Sequence, residues 1–266
     1  MQIMVTLDDA RLDVDDRGVG DAIVLLHGFP LTREIWNEQA DALSKTHRVV
    51  RPDLRGMGRS TASRGPYLME ALAGDIAAAL DALGIERATL VGHSLGGYVA
   101  LAFARMYVER VERLALFGAR LGEDSPERAR DRELLAQKIE AADSIEPALD
   151  AFLSKLLAPD AAPDLRARVA AIARENGPLG AAAMLRGMAV RSSSEDIAGD
   201  IFVPVLVVAG ACDPFLPPAE AAAVAAAFPR GRLVTCERSG HLPMLEEPEQ
   251  TSATLAGWLE SSASEG

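Results

Sequence analysis

Short β-type runs, several of them nearly all apolar, alternate along this chain with longer stretches in which apolar residues recur every three or four positions. The runs are Ile3–Leu7, Arg11–Asp15, Ala22–Leu26, His47–Arg51, Ala88–Val91, Val111–Phe117, Val203–Ala209 and Gly231–Cys236. Their length predicts β-strands, and the scarcity of polar positions in several predicts strands covered on both faces. Asp8-Asp9-Ala10 separates the first two runs and reads as a hairpin turn. Pro204 falls near the start of its run, where a strand tolerates proline best. Helical spacing predicts helices over Arg33–Lys45, Met69–Leu83, Leu95–Tyr107, Pro218–Phe228 and Glu249–Leu259. Strands alternating with helices predict an α/β fold: a mostly parallel, eight-stranded sheet flanked by helices and joined by right-handed crossovers.

The alternation stops between residues 118 and 200. That stretch has no strand-like run and four helical patterns, Ser125–Ala142, Ile145–Leu157, Asp164–Glu175 and Pro178–Val190. Pro126 and Pro178 suit the first turn of a helix, where the missing N–H costs little. The expected organisation is a core of residues 1–117 and 201–266, with a helical cap, 118–200, inserted after the sixth strand. No internal repeat is visible, and Ser261–Gly266 reads as a frayed tail.

Composition narrows the function classes. Of 266 residues, 49% are hydrophobic and 25% charged, as in ordinary soluble globular proteins, which argues against disorder and coiled coil. No apolar stretch approaches the ~18–20 residues that span a bilayer, and the acidic N-terminus lacks a signal peptide's basic-then-apolar order. A cytoplasmic protein without a membrane partner is expected. The net charge of −12 repels phosphate backbones and argues against nucleic acid. Cys212 and Cys236 are too few for a disulfide framework and are expected to be reduced thiols.

The chemistry centres on Gly92-His93-Ser94-Leu95-Gly96-Gly97. This Gly-x-Ser-x-Gly follows an apolar run and precedes a helical pattern, the strand–turn–helix setting of a nucleophile elbow. Gly92 and Gly96 let strand and helix approach closely, so that Ser94 projects above the sheet. A serine hydroxyl needs a base. His241 lies in a loop beyond the eighth strand, on the carboxyl edge where parallel α/β sheets place their sites. His47 starts a strand and belongs to the opposite edge, His27 braces a loop, and His93 points elsewhere in the turn. The base needs an acid to hold its tautomer. Asp213 lies just past the seventh strand and completes the chain order serine, acid, histidine; Glu123 or Asp124, after the sixth strand, is the rival. The loop His27-Gly28-Phe29-Pro30 falls on the same edge, with Gly28 allowing unusual backbone angles. The backbone N–H groups of Phe29 and Leu95 are the expected oxyanion donors, since Pro30 has none. Asp53-Leu54-Arg55-Gly56-Met57-Gly58-Arg59-Ser60 lacks dinucleotide-binding spacing and reads as a structural turn. No His, Cys and carboxylate cluster has zinc-ligand spacing. Cys212 has no base nearby in sequence and is read as a pocket-wall or packing residue.

HGFP at 27–30, DLRGMGRS at 53–60, GHSLGG at 92–97, GACD at 210–213 and GHLPMLEEP at 240–248 together resemble the α/β-hydrolase superfamily across nearly the whole chain. Within it the sequence is similar to small carboxylesterases, 3-oxoadipate enol-lactonases and cofactor-free perhydrolases. The resemblance implies Ser94, Asp213 and His241 as a catalytic triad and residues 118–200 as the cap. Ser94 departs from the haloalkane dehalogenase and epoxide hydrolase pattern, which has Asp there. Leu242 stands where hydrolases of carbon–carbon bonds often carry Trp. The expected activity is hydrolysis of a small ester or lactone through a Ser94 acyl-enzyme, with no metal or organic cofactor. Perhydrolysis by the same acyl-enzyme, and a non-catalytic small-ligand-binding protein on the same fold, are the alternatives. Leu153, Leu156, Met184, Leu185 and Met188 are candidates to roof the pocket. Leu153, Met184 and Met188 are assigned to its lining, although helix-spaced Leu and Met also pack cap cores.

Overall fold

Strands buried on both faces are expected to be largely apolar. In the computed structural model, which describes residues 1–7 and 9–261, every residue of β3 (Ala22–Leu26), β5 (Ala88–His93) and β7 (Val205–Gly210) is buried. β3 and β7 are wholly apolar, while β5 adds the buried Thr89 and His93. The remaining strands are β1 (Gln2–Thr6), β2 (Arg11–Arg17), β4 (Arg48–Pro52), β6 (Val111–Phe117) and β8 (Gly231–Cys236). They form one sheet in the order β1-β2-β4-β3-β5-β6-β7-β8. β1 and β2, and β2 and β4, pair antiparallel; every other pair is parallel. Val203 and Pro204 precede β7 rather than joining it: Pro204 accepts from Leu114 N–H but cannot donate to the ladder.

The helices are α1 (Asn37–Leu43), α2 (Met69–Ala82), α3 (Leu95–Met106), α4 (Pro126–Ala142), α5 (Glu146–Leu156), α6 (Pro163–Ala173), α7 (Pro178–Ala189), α8 (Glu195–Ala198), α9 (Pro218–Ala226), α10 (Pro243–Glu246) and α11 (Pro248–Ser261). The single helix expected over 33–45 is a 3₁₀ turn, Arg33–Trp36, followed by α1. Pro126, Pro163 and Pro178 each open a helix, as a residue without an N–H should. The tail expected at 261–266 lies outside the described residues apart from Ser261, which ends α11. Among the described residues no helix is long and apolar enough to cross a membrane.

Two features position the site. The chain runs from β3 outward to β4, then returns to β5 on the other side of β3, so a topological switch point lies between β3 and β5. Their carboxyl ends diverge there and leave a crevice. Second, α4–α7 lie between β6 and β7 in sequence and fold over that edge. Asn176 Nδ2 donates to Pro30 O at 2.8 Å, Tyr67 N–H to Ala183 O at 3.1 Å, and His241 N–H to Leu156 O at 3.0 Å. A buried ionic network braces the loops beneath. Arg33 pairs with Asp13 and donates its backbone N–H to Asp53 Oδ1, and Arg51, 1% exposed, pairs with Asp15 at 2.5 Å.

Candidate active site

Ser94 stands between β5 and α3 with φ +51° and ψ −111°, one of two non-glycine residues with positive φ among the described residues. Such a backbone costs on the order of 1–3 kcal/mol and persists only where the surroundings impose it. Here they do. Ser94 N–H donates to Phe117 O of β6 at 2.7 Å, and Gly92 and Gly96 pack so closely that a Cβ on Gly92 would lie 2.3 Å from Gly96 O. The sharp turn puts Ser94 at the start of α3, where free N–H groups and the helix dipole favour negative charge. Leu95 is the first residue of that helix.

The structure brings His241 and Asp213 together from separate loops. His241 Nδ1 donates to Asp213 Oδ2 at 2.7 Å, and Asp213 Oδ1 accepts Phe215 N–H at 2.7 Å. Both carboxylate oxygens are thus occupied, and His241 Nε2 is the imidazole nitrogen left for other work. Glu246 holds the His241 loop by accepting the N–H groups of Gly240 at 2.8 Å and Leu242 at 3.3 Å, and it ties in the cap through Ala158 N–H at 2.7 Å. Burial raises the Glu246 carboxyl pKa against the opposing pull of these N–H groups.

The rival acid is engaged elsewhere. Asp124 pairs with Arg132 of α4 and with Arg191 at 2.6 Å. Burial alone would raise its pKa, but the two guanidinium groups hold it below the usual carboxylate range. Glu123 is exposed.

Ser94 and His241 open into one cavity of about 450 Å³. Phe29, Phe152 and Phe215 cluster around its base: Phe152 meets Phe29 at 5.9 Å and Phe215 at 6.0 Å between ring centroids, and Phe215 lies 4.7 Å from the His241 ring. Of the three assigned lining residues, Met188 borders the cavity. Met184, one helical turn earlier, is fully buried, and Leu153 is partly buried against the hydrophobic core; neither is part of the wall. On α5 it is Ala151, Phe152, Lys155 and Leu156 that face the cavity, so the wall runs beside Leu153 rather than through it. Cys212 is exposed and outside the cavity, and burial pushes the Cys236 thiol up to about 11.

Two residues have roles that the sequence reading did not assign. His93 is fully buried beneath the site, and its Nε2–H donates to the His241 carbonyl at 2.9 Å. Burial, followed by the nearby His241, drives its pKa well below the ordinary value, so it serves as a neutral strut. Gly28 does not need positive φ; a Cβ there would lie 2.3 Å from His93 Nδ1, so glycine is required for space. His27 accepts Leu54 N–H at 2.9 Å and braces the loop after β4, in which Asp53 also accepts the N–H of Arg59 at 3.1 Å.

The sequence model of the alpha/beta hydrolase fold matches residues 21–248. A thermophilic esterase from Thermogutta terrifontis, solved with malate bound, is 33% identical over 98% of each chain with a TM-score of 0.93. An enol-lactonase from Burkholderia xenovorans is 28% identical over 97% of this chain and all of its own, with a TM-score of 0.89. An uncharacterized protein of Mycobacterium tuberculosis is 42% identical over 102 residues, which is 38% of this chain and 30% of that protein's length.

Proposed function

Because the chain belongs to the alpha/beta hydrolase fold family, we propose that it is a serine hydrolase of small carboxylic esters or lactones. The observation that carries this reading is the arrangement at one cavity. Ser94 is held at positive φ at the head of α3 and faces the same space as His241, whose far nitrogen is fixed by Asp213.

The geometry suits a two-step acyl transfer. Ser94 Oγ attacks the ester carbonyl as its proton passes to His241 Nε2. Asp213, bound to Nδ1–H, keeps Nε2 unprotonated beforehand and stabilises the imidazolium that forms. The tetrahedral oxyanion is received by the N–H groups of Phe29 and Leu95. Collapse expels the alkoxide, which takes the proton from Nε2. Water then gives its proton to Nε2 as it attacks the acyl carbon; collapse breaks the acyl–Oγ bond, Ser94 Oγ takes the proton back from Nε2, and the acid is released. Each step uses protein groups and water.

A fluorophosphonate should inactivate the protein at one equivalent per chain, with the adduct on the peptide holding Ser94. Nitrophenyl acetate should release nitrophenolate in an initial burst if deacylation is slow. Labelling elsewhere, or no labelling and no turnover, would overturn the reading in favour of a ligand-binding protein.

The two methionines separate pocket from packing. Met188→Ala is expected to shift preference toward longer acyl chains by roughly ten- to two-hundredfold at most, since a few methylenes of pocket are worth about 1–3 kcal/mol. Met184→Ala is expected to leave the preference in place and lower stability by about 2–5 kcal/mol, the usual cost of a core cavity. Values of kcat/KM across a nitrophenyl ester series, read with melting temperatures, check both.

A further inference from the structure

The protein carries a net charge of −12, yet the wall of the cavity over Ser94 has the opposite sign. Five basic side chains line it, Arg120, Arg128, Arg132, Lys138 and Lys155, against the single carboxylate of Asp131. Two of the five are already neutralised: Arg120 pairs with Glu220 at 2.9 Å, and Arg132 with Asp124. Arg128, Lys138 and Lys155 make no ion pair among the described residues. In so acidic a chain, three unpaired cations converging on one cavity need a reason.

Their placement supplies one. Arg128, Arg132, Leu135 and Lys138 follow each other at helical spacing along the face of α4 that borders the cavity, and Lys155 comes from α5. The base, around Ser94 and His241, is aromatic; the cations stand on the cap helices. A molecule with its ester on Ser94 and an apolar stretch along Phe152 and Phe215 would carry its far end toward those cations. Arg128 is partly buried, where a charge-assisted hydrogen bond is strengthened, while Lys138 and Lys155 are exposed and act at longer range. The site is a cavity rather than a broad surface, and the rest of the chain is acidic. It fits a small anion and not a polyanion.

We propose that the substrate is an ester or lactone bearing a carboxylate of its own, received by Arg128 with Lys138 and Lys155 in support. This rests on the serine-hydrolase reading and specifies its substrate class.

The test compares monomethyl adipate with methyl hexanoate, a pair that shares its carbon chain and reactive ester and differs in the terminal carboxylate. Acid release is followed for both. The wild-type protein is expected to favour monomethyl adipate in kcat/KM, chiefly through KM. That advantage should shrink at about 1 M salt, where screening shortens to about 3 Å. Arg128→Gln should lower the ratio of the two kcat/KM values by about tenfold, as expected for loss of one charge-assisted contact, and Lys155→Gln by less. Both positions are at least partly exposed, and melting temperatures report whether the variants fold. Should a variant fail to fold, the wild-type ratio and its salt dependence still decide. Hydrolysis of both esters with no preference for the anion, or a ratio unmoved by salt and by Arg128→Gln, overturns the anionic-substrate proposal and leaves the serine hydrolase standing. Turnover of neither ester, nor of nitrophenyl acetate, removes the catalytic reading beneath it.

Discussion

Ser94→Ala is expected to lower kcat for nitrophenyl acetate by ~10³-fold or more while leaving the melting temperature close to wild type. The two halves of this expectation have separate causes. Chemically, on the proposed mechanism the substitution deletes the one oxygen that would form the acyl-enzyme, leaving only the oxyanion N–H groups and binding to supply a residual rate. Structurally, little is lost. The Ser94 side chain makes no capping hydrogen bond to α3, and its backbone bond to Phe117 O survives the change. Alanine meets the same steric objection to φ +51° that serine does, so the strain of the turn is unchanged. Glycine does not meet it. Ser94→Gly should therefore be equally inactive and at least as stable as Ser94→Ala, which separates nucleophile loss from fold loss. Circular dichroism melts and steady-state rates on the two variants check this. A kcat within tenfold of wild type in either variant would place the nucleophile elsewhere.

The mixed sheet and the elbow were legible in the sequence because each rests on a local constraint. A strand such as Ala22–Leu26 or Val205–Gly210 is covered on both faces and its five or six residues are all apolar, so the run announces itself. Gly92, Ser94 and Gly96 are likewise fixed by one turn. Features that depend on contact between distant elements were not legible. Helical spacing says which side chains share a face, not what that face meets. Nothing local in the sequence says that the charged face of α4, with Arg128 and Lys138, meets a cavity; the packing of the helices over the sheet edge makes it a wall. Met184 and Met188 are one turn apart and look equivalent; α7 packs closely along α4 and along the loop holding Gly56 and Tyr67 and both are buried, but Met188 alone of the two borders the cavity. His93 and Gly28 are 65 positions apart, so nothing local says that the imidazole of one fills the space beside the other.

Asp213→Asn is expected to lower kcat by about 10⁴-fold with substrate binding retained. The amide occupies the same volume but presents a donor or a weak acceptor where His241 Nδ1–H needs a carboxylate. The imidazole then favours the tautomer with its proton on Nε2, which cannot accept from Ser94, and the imidazolium loses its counter-charge. The control is Asp124→Asn at the rival position, which should leave kcat within a few-fold and act on stability instead. Asp124 lies between Arg132 and Arg191, the latter only 2% exposed in its side chain. Neutralising the carboxylate strands that buried charge, at a cost of about 3–5 kcal/mol. The pH dependence has a defined sign. The folded-state pKa of Asp124 is held below its unfolded value of about 3.9. Its contribution to stability is therefore fully present above about pH 4 and is lost as pH falls through the folded-state pKa. The gap in unfolding free energy between wild type and Asp124→Asn should be constant near neutrality and narrow in acid. Urea unfolding at pH 7 and below pH 4, run beside kcat for both aspartate variants, tests the pair of assignments together. If Asp124→Asn abolishes turnover and Asp213→Asn spares it, the acid of the site follows the sixth strand and the hydrogen bond at His241 Nδ1 serves only to hold the loop.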